Sequence, residues 1–250
     1  MRNMEEKSMV NDFVDLHSHI LPGVDDGSKN MDQTVRMLRM AYTEGIRTII
    51  ATPHYMAGAK NSPVLQLRSL CDELQKEAVK LDPNMRILLG NEIFYSESVL
   101  EAIQSGAALT LAGSRYVLIE FSPKDSFNQI FRGLSGLISA GYLPIVAHME
   151  RYSCLHKDRS FAEELINLGC YLQMNCSSLI GGLLDSDARY HRRLVEQGLI
   201  HFLGSDCHDD KVRVPSMARA WNQLHKKCDE EVLNRIFYEN PFKVLENTYI

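Results

Sequence analysis

His17 and His19 stand two residues apart at the end of a short apolar stretch that begins at Phe13. Alternate residues of a strand project to the same side, so the two imidazoles can grip one metal ion. Such a pair, taken alone, reads equally as two ordinary strand histidines. The chain then repeats the pattern. His54 ends the run Thr48-Ile49-Ile50-Ala51-Thr52-Pro53-His54, and Glu92 follows Arg86-Ile87-Leu88-Leu89-Gly90-Asn91. Glu120 closes Tyr116-Val117-Leu118-Ile119-Glu120, and His148 closes Leu143-Pro144-Ile145-Val146-Ala147-His148. Asp206 and His208 end the stretch that starts at Ile200. Imidazole and carboxylate without sulfur suit manganese, iron or zinc.

The elements that must position these groups are legible from periodicity. Near-continuous apolar runs of this length are the mark of buried parallel strands. A further run, Tyr171 to Asn175, ends on an amide and brings the candidates to seven strands. Between the runs the period changes to that of helices. Met31, Val35, Leu38 and Tyr42 mark a first helix closed by Gly45, and Val64 to Leu81 a longer one with Pro83 beyond it. Ile130 to Ile138 and the stretches before Gly169 and Gly198 mark others. Alternating β and α units in 250 residues predict a single-domain, distorted (β/α)7 barrel of TIM-like α/β class. All strand C-termini of a barrel open onto one rim, where catalytic groups sit. An open doubly wound sheet would gather ligands mainly at its switch point. Residues 1–12 read as an extension ahead of a domain spanning 13–250.

Composition narrows the class. Hydrophobic residues make up 45 % of the chain and the formal net charge is −5. No long basic run offers a nucleic-acid surface. No run approaches the roughly 20 apolar residues of a membrane span, and residues 1–12 lack the apolar core of a signal peptide. Six cysteines lie apart with no C-x-x-C pair. That spacing argues for a reducing, cytoplasmic setting and against a zinc–thiolate site.

The text around the ligand candidates resembles a known family. Asp15-Leu16-His17-Ser18-His19-Ile20-Leu21-Pro22-Gly23-Val24-Asp25-Asp26-Gly27-Ser28, Ala51-Thr52-Pro53-His54-Tyr55, Gly90-Asn91-Glu92, Ala147-His148-Met149-Glu150-Arg151-Tyr152 and Gly204-Ser205-Asp206-Cys207-His208 are similar to the PHP-superfamily phosphoesterases. Within them the likeness is to the bacterial metal-dependent protein-tyrosine phosphatases of capsule and exopolysaccharide synthesis, the CpsB/CapC type. Met149 and Cys207 depart from that family's usual Pro and small residue, and neither is a ligand position. The resemblance implies the PHP fold and a cluster of up to three divalent ions, usually manganese. His17, His19, Glu92 and Asp206 would hold one ion. Glu92, Glu120 and His148 would hold a second, and His54 with His208 a third. It also implies phosphate clamping by Arg151 and Arg213, and Asp26 as a group that protonates the leaving phenolate or orients water. Its substrate would be a phosphotyrosine protein, a tyrosine autokinase. A metal ion lowers the pKa of bound water towards about 7, so hydroxide can attack phosphorus without a covalent enzyme intermediate.

Two other functions use the same residues. A small-molecule phosphatase of the histidinol-phosphatase type would share the ligands and differ in pocket shape. A non-catalytic, metal-stabilised partner-binding module would need a coordinatively closed site. Cys207 to Arg213 also matches C-x5-R, the loop of cysteine-dependent tyrosine phosphatases. The intervening His208-Asp209-Asp210-Lys211-Val212 carries two carboxylates and no glycine, which opposes an anion cradle. His156, His191 and His225 read as surface residues, and His201 as a structural residue at the opposite rim.

Overall fold

The apolar runs form parallel strands that stand side by side in sequence order. The structure, a computed structural model, describes residues 12–157, 159–182 and 184–250, so residues 1–11 of the expected extension lie outside the described residues. The strands are β1 (Phe13–Ser18), β2 (Ile46–Ala51), β3 (His54–Met56), β4 (Arg86–Leu89), β5 (Glu92–Phe94), β6 (Tyr116–Glu120), β7 (Leu143–Val146), β8 (Tyr171–Asn175) and β9 (Phe202–Gly204). The helices are α1 (Met31–Thr43), α2 (Val64–Leu81), α3 (Val99–Gln104), α4 (Phe127–Ser139), α5 (Ser153–Lys157), α6 (Arg159–Leu168), α7 (Ser186–Glu196), α8 (Met217–Leu224), α9 (Glu230–Asn234) and α10 (Asn240–Glu246). None of them among the described residues is long and apolar enough to cross a membrane.

Two of the expected strands are broken in the middle. The run over residues 48–54 splits into β2 and β3 at Thr52-Pro53, where proline has no N–H for a ladder. The run over 86–92 splits into β4 and β5 at Gly90-Asn91. Asn91 fills both breaks, since its Nδ2 donates to the Pro53 carbonyl at 2.7 Å and its Oδ1 accepts the Leu109 N–H at 2.8 Å. One sheet therefore runs β1-β2-β4 and the other β3-β5-β6-β7-β8-β9. The broken strands belong to both. The chain after β9 returns to β1, with Asp206 N–H donating to the His17 carbonyl at 2.8 Å and His19 N–H to the Cys207 carbonyl at 2.9 Å. The Asp15 carboxylate ties the same seam by accepting the Ser205 N–H at 2.9 Å. The last expected strand is correspondingly shorter than residues 200–208, because the chain leaves the extended region before Asp206, whose φ is 50°.

Leu16, Ile50, Leu118, Ile145 and Phe202 form one buried cluster. Side chains from β1 and β2 of one sheet thus meet those from β6, β7 and β9 of the other, so the space between the two sheets is packed rather than hollow. The larger core lies between strands and helices. On α2 its contributors, Leu67, Cys71, Leu74 and Ala78, keep the expected helical spacing. On α1 the buried face is Gln33, Thr34, Met37, Leu38 and Ala41. Met31, Val35 and Tyr42 are only half-buried, so the stripe expected from apolar residues alone is rotated. Thr34 explains the shift: its hydroxyl donates to the Ile20 carbonyl at 2.8 Å and anchors the helix beneath the β1–α1 loop. At the other end Phe13 packs at a tilt among Trp221, Phe237 and Tyr238, with ring centroids 5.1–5.8 Å away. The C-terminal helices thus cover the floor.

Candidate metal centre

Every ligand expected from the sequence reaches one cluster at the C-terminal rim. Glu92 lies at its middle. Its Oε1 is 3.3 Å from His17 Nε2 and 2.8 Å from His148 Nε2. Its Oε2 is 3.1 Å from both His19 Nε2 and His54 Nδ1. Glu120 stands 3.4 Å from His148 Nε2 and 3.9 Å from His54 Nδ1. Asp206 Oδ1 is 3.5 Å from the Nε2 of both His17 and His19. Asp26 Oδ1 completes the outer edge, 3.3 Å from His54 Nε2 and 3.4 Å from His208 Nε2. Among the described residues, three groups could hold an ion: His17, His19 and Glu92; His54, Glu92 and Glu120; and His19, Asp26, His54 and His208.

The donor set fits divalent ions. Ligands about 2.0–2.2 Å from a shared ion sit roughly 3.0–3.5 Å from each other at the angles of tetrahedral and octahedral coordination. The separations above fall largely in that range. The far sides of three rings agree. His17 Nδ1 faces Gln173 Oε1 at 3.1 Å, His19 Nδ1 faces Asp25 Oδ2 at 2.7 Å, and His208 Nδ1 faces the Asp206 carbonyl at 3.0 Å. Each oxygen accepts Nδ1–H and leaves Nε2 bare towards the cluster, which is how protein oxygens orient metal-ligating imidazoles. His17 Nε2 and His19 Nε2 are 3.3 Å apart, and two bare ring nitrogens at that distance are reconciled by a shared cation.

Charge reads the same way. Burial pushes His19 down, but Asp25 and Glu92 more than reverse it and hold the imidazole up to about 10. Burial likewise opposes the charge on Asp25, and His19 holds that carboxyl down to about 2. His148 is carried up to about 9 by Glu120 and Glu92 against its own burial. Glu92 is held well below the usual range despite its burial, by His17 and His148. His208 falls to about 4, through burial and the neighbouring His19 charge. Protons on the imidazoles thus balance convergent carboxylates where cations would otherwise do so.

The backbone makes two special allowances. His148 has φ 31° and Asp206 φ 50°, a left-handed conformation that costs a non-glycine residue roughly 1–2 kcal/mol. Both departures turn a side chain at a strand end towards the rim. Two glycines let backbones close in. A Cβ on Gly27 would lie 2.2 Å from the His19 carbonyl oxygen, and one on Gly204 would lie 2.7 Å from His17 Cβ.

Arg151 and Arg213 each donate from Nη2 to Asp206 Oδ2, at 2.6 and 2.7 Å. Both remain part-exposed, at 41 % and 39 % of the side chain. Asn175 Nδ2 adds a third donor to the same oxygen at 2.7 Å. Asp26 is 65 % exposed. Sequence reasoning missed Asp25, Gln173 and Asn175. Asp25 was hidden as half of a turn signal, and the alternation of Gln173 and Asn175 along β8 is the trace the other two leave. Cys207 is buried and its thiol is pushed well up, first by burial and then by Asp15. His191, expected at the surface, is buried with Nδ1 3.1 Å from the Ser178 carbonyl, because α7 turns that face onto the turn following β8. His225 is exposed, and the His156 side chain lies outside the described residues.

Comparison with known proteins agrees with this geometry. Residues 13–246 match the family model described as capsular polysaccharide synthesis, CpsB/CapC. Tyrosine-protein phosphatase CpsB of Streptococcus agalactiae is 34 % identical over 243 residues, spanning 95 % of this chain and all of that protein. A solved structure, from a pair described as YwqE of Bacillus subtilis and CpsB of Streptococcus pneumoniae, unique metal-dependent tyrosine phosphatases, superposes with a TM-score of 0.86. It is 33 % identical and covers 95 % of this chain and 96 % of its own. Histidinol phosphate phosphatase of Lactococcus lactis shares the fold alone, with a TM-score of 0.57 at 14 % identity over 86 % of this chain and 93 % of its own. By model, sequence and structure together, the chain belongs to the CpsB/CapC family of capsular polysaccharide synthesis.

Proposed function

We propose that this protein is a metal-dependent phosphomonoesterase that removes phosphate from tyrosine, acting on a tyrosine autokinase in the control of capsule or exopolysaccharide synthesis, with manganese as its ion. The observation that carries the reading is the pairing of a ligand cluster around Glu92 with two part-exposed arginines on one of its carboxylates. Divalent ions held there supply an activated water and neutralise charge on the phosphoryl oxygens. The chain's own groups do the rest. Gln173, Asp25 and the Asp206 carbonyl fix three imidazoles with Nε2 inward. Arg151 and Arg213 present planar forks of donors at the rim, and a phosphate that takes their free N–H groups gains charge-assisted bonds as its charge grows. Asp26, with Oδ1 3.3 Å from His54 Nε2 and 3.4 Å from His208 Nε2, would serve as a carboxylate for an ion held by those histidines, and that closeness supports this role over proton donation. Loss of that acid is tolerable for an aryl ester, since a phenol with pKa about 10 leaves more readily than an alkyl alcohol. The buried, protonated Cys207 has no part.

A substrate panel tests the reading. Chelated protein should be inactive towards phosphotyrosine peptides, and manganese should restore turnover. Phosphotyrosine should be preferred over phosphoserine peptides and histidinol phosphate, and Cys207→Ala should stay within a few-fold of wild type. Full activity after verified metal removal overturns the metal mechanism. Preference for histidinol phosphate overturns the substrate.

A further inference from the structure

Beside the cluster lies a cavity of about 460 Å³, between the β1–α1 loop and strands β3 and β5. His54, Asp26 and Glu120 form its inner end, and Val24, Met56 and Phe94 its apolar wall. The strand register fixes how these layers relate. His54 pairs with Glu92 and Met56 with Phe94 across β3 and β5. Phe94 in turn pairs with Glu120 on β6. Residues two apart share a face and are separated by about 6.6 Å along a strand. Met56 and Phe94 therefore stand together one pleat beyond the ligands His54 and Glu92, on the face that carries those ligands.

That placement is unusual for apolar side chains. Met56 is 45 % exposed and Phe94 half-buried, although each extends a strand whose other members are committed to the core or the ligands. The wall is also held in place. Asn61 brackets Met56, accepting its N–H at 2.9 Å and donating to its carbonyl at 2.8 Å. Ser62 donates to the Val24 carbonyl at 3.2 Å, which closes the loop after β3 against the loop after β1. A polarizable thioether beside an aromatic ring makes a surface that favours a flat aromatic guest.

We propose that Met56 and Phe94, with Val24 opposite, form the specificity pocket for the aryl group of the phosphate ester. The proposal rests on the phosphomonoesterase reading above and names what that site selects. A phosphate bound at the ligand cluster would project its ester group into the adjoining cavity, whose apolar wall stands one pleat above the ligands. A phenyl ring fills that layer against Met56 and Phe94. A short alkyl ester leaves it to water.

The test separates ring recognition from turnover. Binding of phenylphosphonate and methylphosphonate to manganese-loaded protein is measured by calorimetry, for wild type and for Met56→Ala, Phe94→Ala and Phe94→Leu. Wild type should prefer the phenyl compound at least tenfold. Met56→Ala, at an exposed position with little effect on folding, and Phe94→Ala should each cut that preference roughly tenfold, the scale on which apolar pockets discriminate. Phe94→Leu should recover part of it, and metal content should stay at the wild-type level throughout. Equal binding of the two phosphonates by wild type, or a preference unchanged in all three variants, overturns the pocket. A retained phenyl preference in a protein that hydrolyses no phosphate ester upholds the pocket and instead removes the phosphatase reading.

Discussion

The C-terminal rim and the floor of the fold both draw histidine largely out of solvent, with opposite results. Burial pushes His19, His148 and His201 down alike. At the rim, carboxylates converge on His19 and His148 and carry them to about 10 and 9. At the floor no acid among the described residues raises His201. Its Nδ1 accepts the Leu172 N–H at 3.2 Å, and burial together with the Arg235 charge lowers it to about 4. A buried imidazole is therefore no sign of a ligand. What marks the ligands is the convergence of acids on their ring nitrogens, joined in His17, His19 and His208 by an oxygen that holds the far side of the ring. At the rim the backbone also contributes, because His148 and Asp206 are held in the left-handed region where they enter the cluster.

The largest effect should come from breaking the rim itself. Removing His148 takes a nitrogen from both Glu92 and Glu120. Loss of a group that merely orients a ligand costs 10- to 100-fold in metal affinity or activity, so loss of a ligand should cost at least about a hundredfold. His148→Ala should shed metal and activity together, and His148→Asn, whose side chain better tolerates a positive φ, should do the same while folding as well as wild type. Elemental analysis beside circular dichroism reads both. A His148→Asn protein with full metal content would place the ion elsewhere and reduce the rim to a network of ion pairs.

The rim was largely legible in the sequence because each strand announces its end. An apolar run has to stop at the surface, and a His, Glu or Asp at the stop shows up as a break in the run. His17, His19, His54, Glu92, Glu120, His148, Asp206 and His208 all carry that signal. The breaks at Thr52-Pro53 and Gly90-Asn91 were less visible, since a run that is interrupted and resumes still looks apolar throughout. The groups behind the ligands left the faintest trace. Gln173 and Asp25 act through hydrogen bonds, each to one ring nitrogen and to a backbone N–H beside it, and nothing in composition or period distinguishes them from an amide in a strand or an acid in a turn. The rotated face of α1 was hidden for a related reason, because Thr34 is buried for its hydroxyl rather than for its carbon.

A smaller effect should follow from removing charge while leaving the ligands. Arg151→Ala deletes one of three donors on Asp206 Oδ2, and Arg213 and Asn175 still hold that carboxylate. Metal content should stay near wild type. A charged hydrogen bond is worth about 1.5–3 kcal/mol, so kcat/KM should fall roughly 10- to 150-fold. Arg213→Ala should behave alike, and the double variant should lose less than the product of the two, because both arginines share one oxygen now and one phosphate in the reaction. Metal loss in Arg151→Ala equal to that in His148→Ala would make the arginine a support of the cluster rather than a phosphate clamp.

The smallest effect on activity belongs to the floor, and it shows in the pH dependence of stability. His201 titrates near 6.5 when unfolded and at about 4 when folded. Between those values the unfolded chain takes up a proton that the native protein refuses, so this residue lowers stability as pH falls from about 6.5 to 4 and contributes no slope above. Its partial exposure limits the effect to the order of 2 kcal/mol at pH 4. The rim has the opposite sign. The metal-free protein keeps the His19 contribution below about pH 6.5 and loses it as pH rises through about 10. His201→Asn keeps an oxygen to accept the Leu172 N–H but removes the titration. In metal-free protein, thermal unfolding from pH 4 to 7.5 should show the variant gaining on wild type towards acid by that amount. Metal uptake and turnover at pH 7.5 should be unchanged. A stability difference constant across the range would mean that His201 takes up its proton as readily in the folded as in the unfolded state, and the contrast between floor and rim would then lie in their geometry alone.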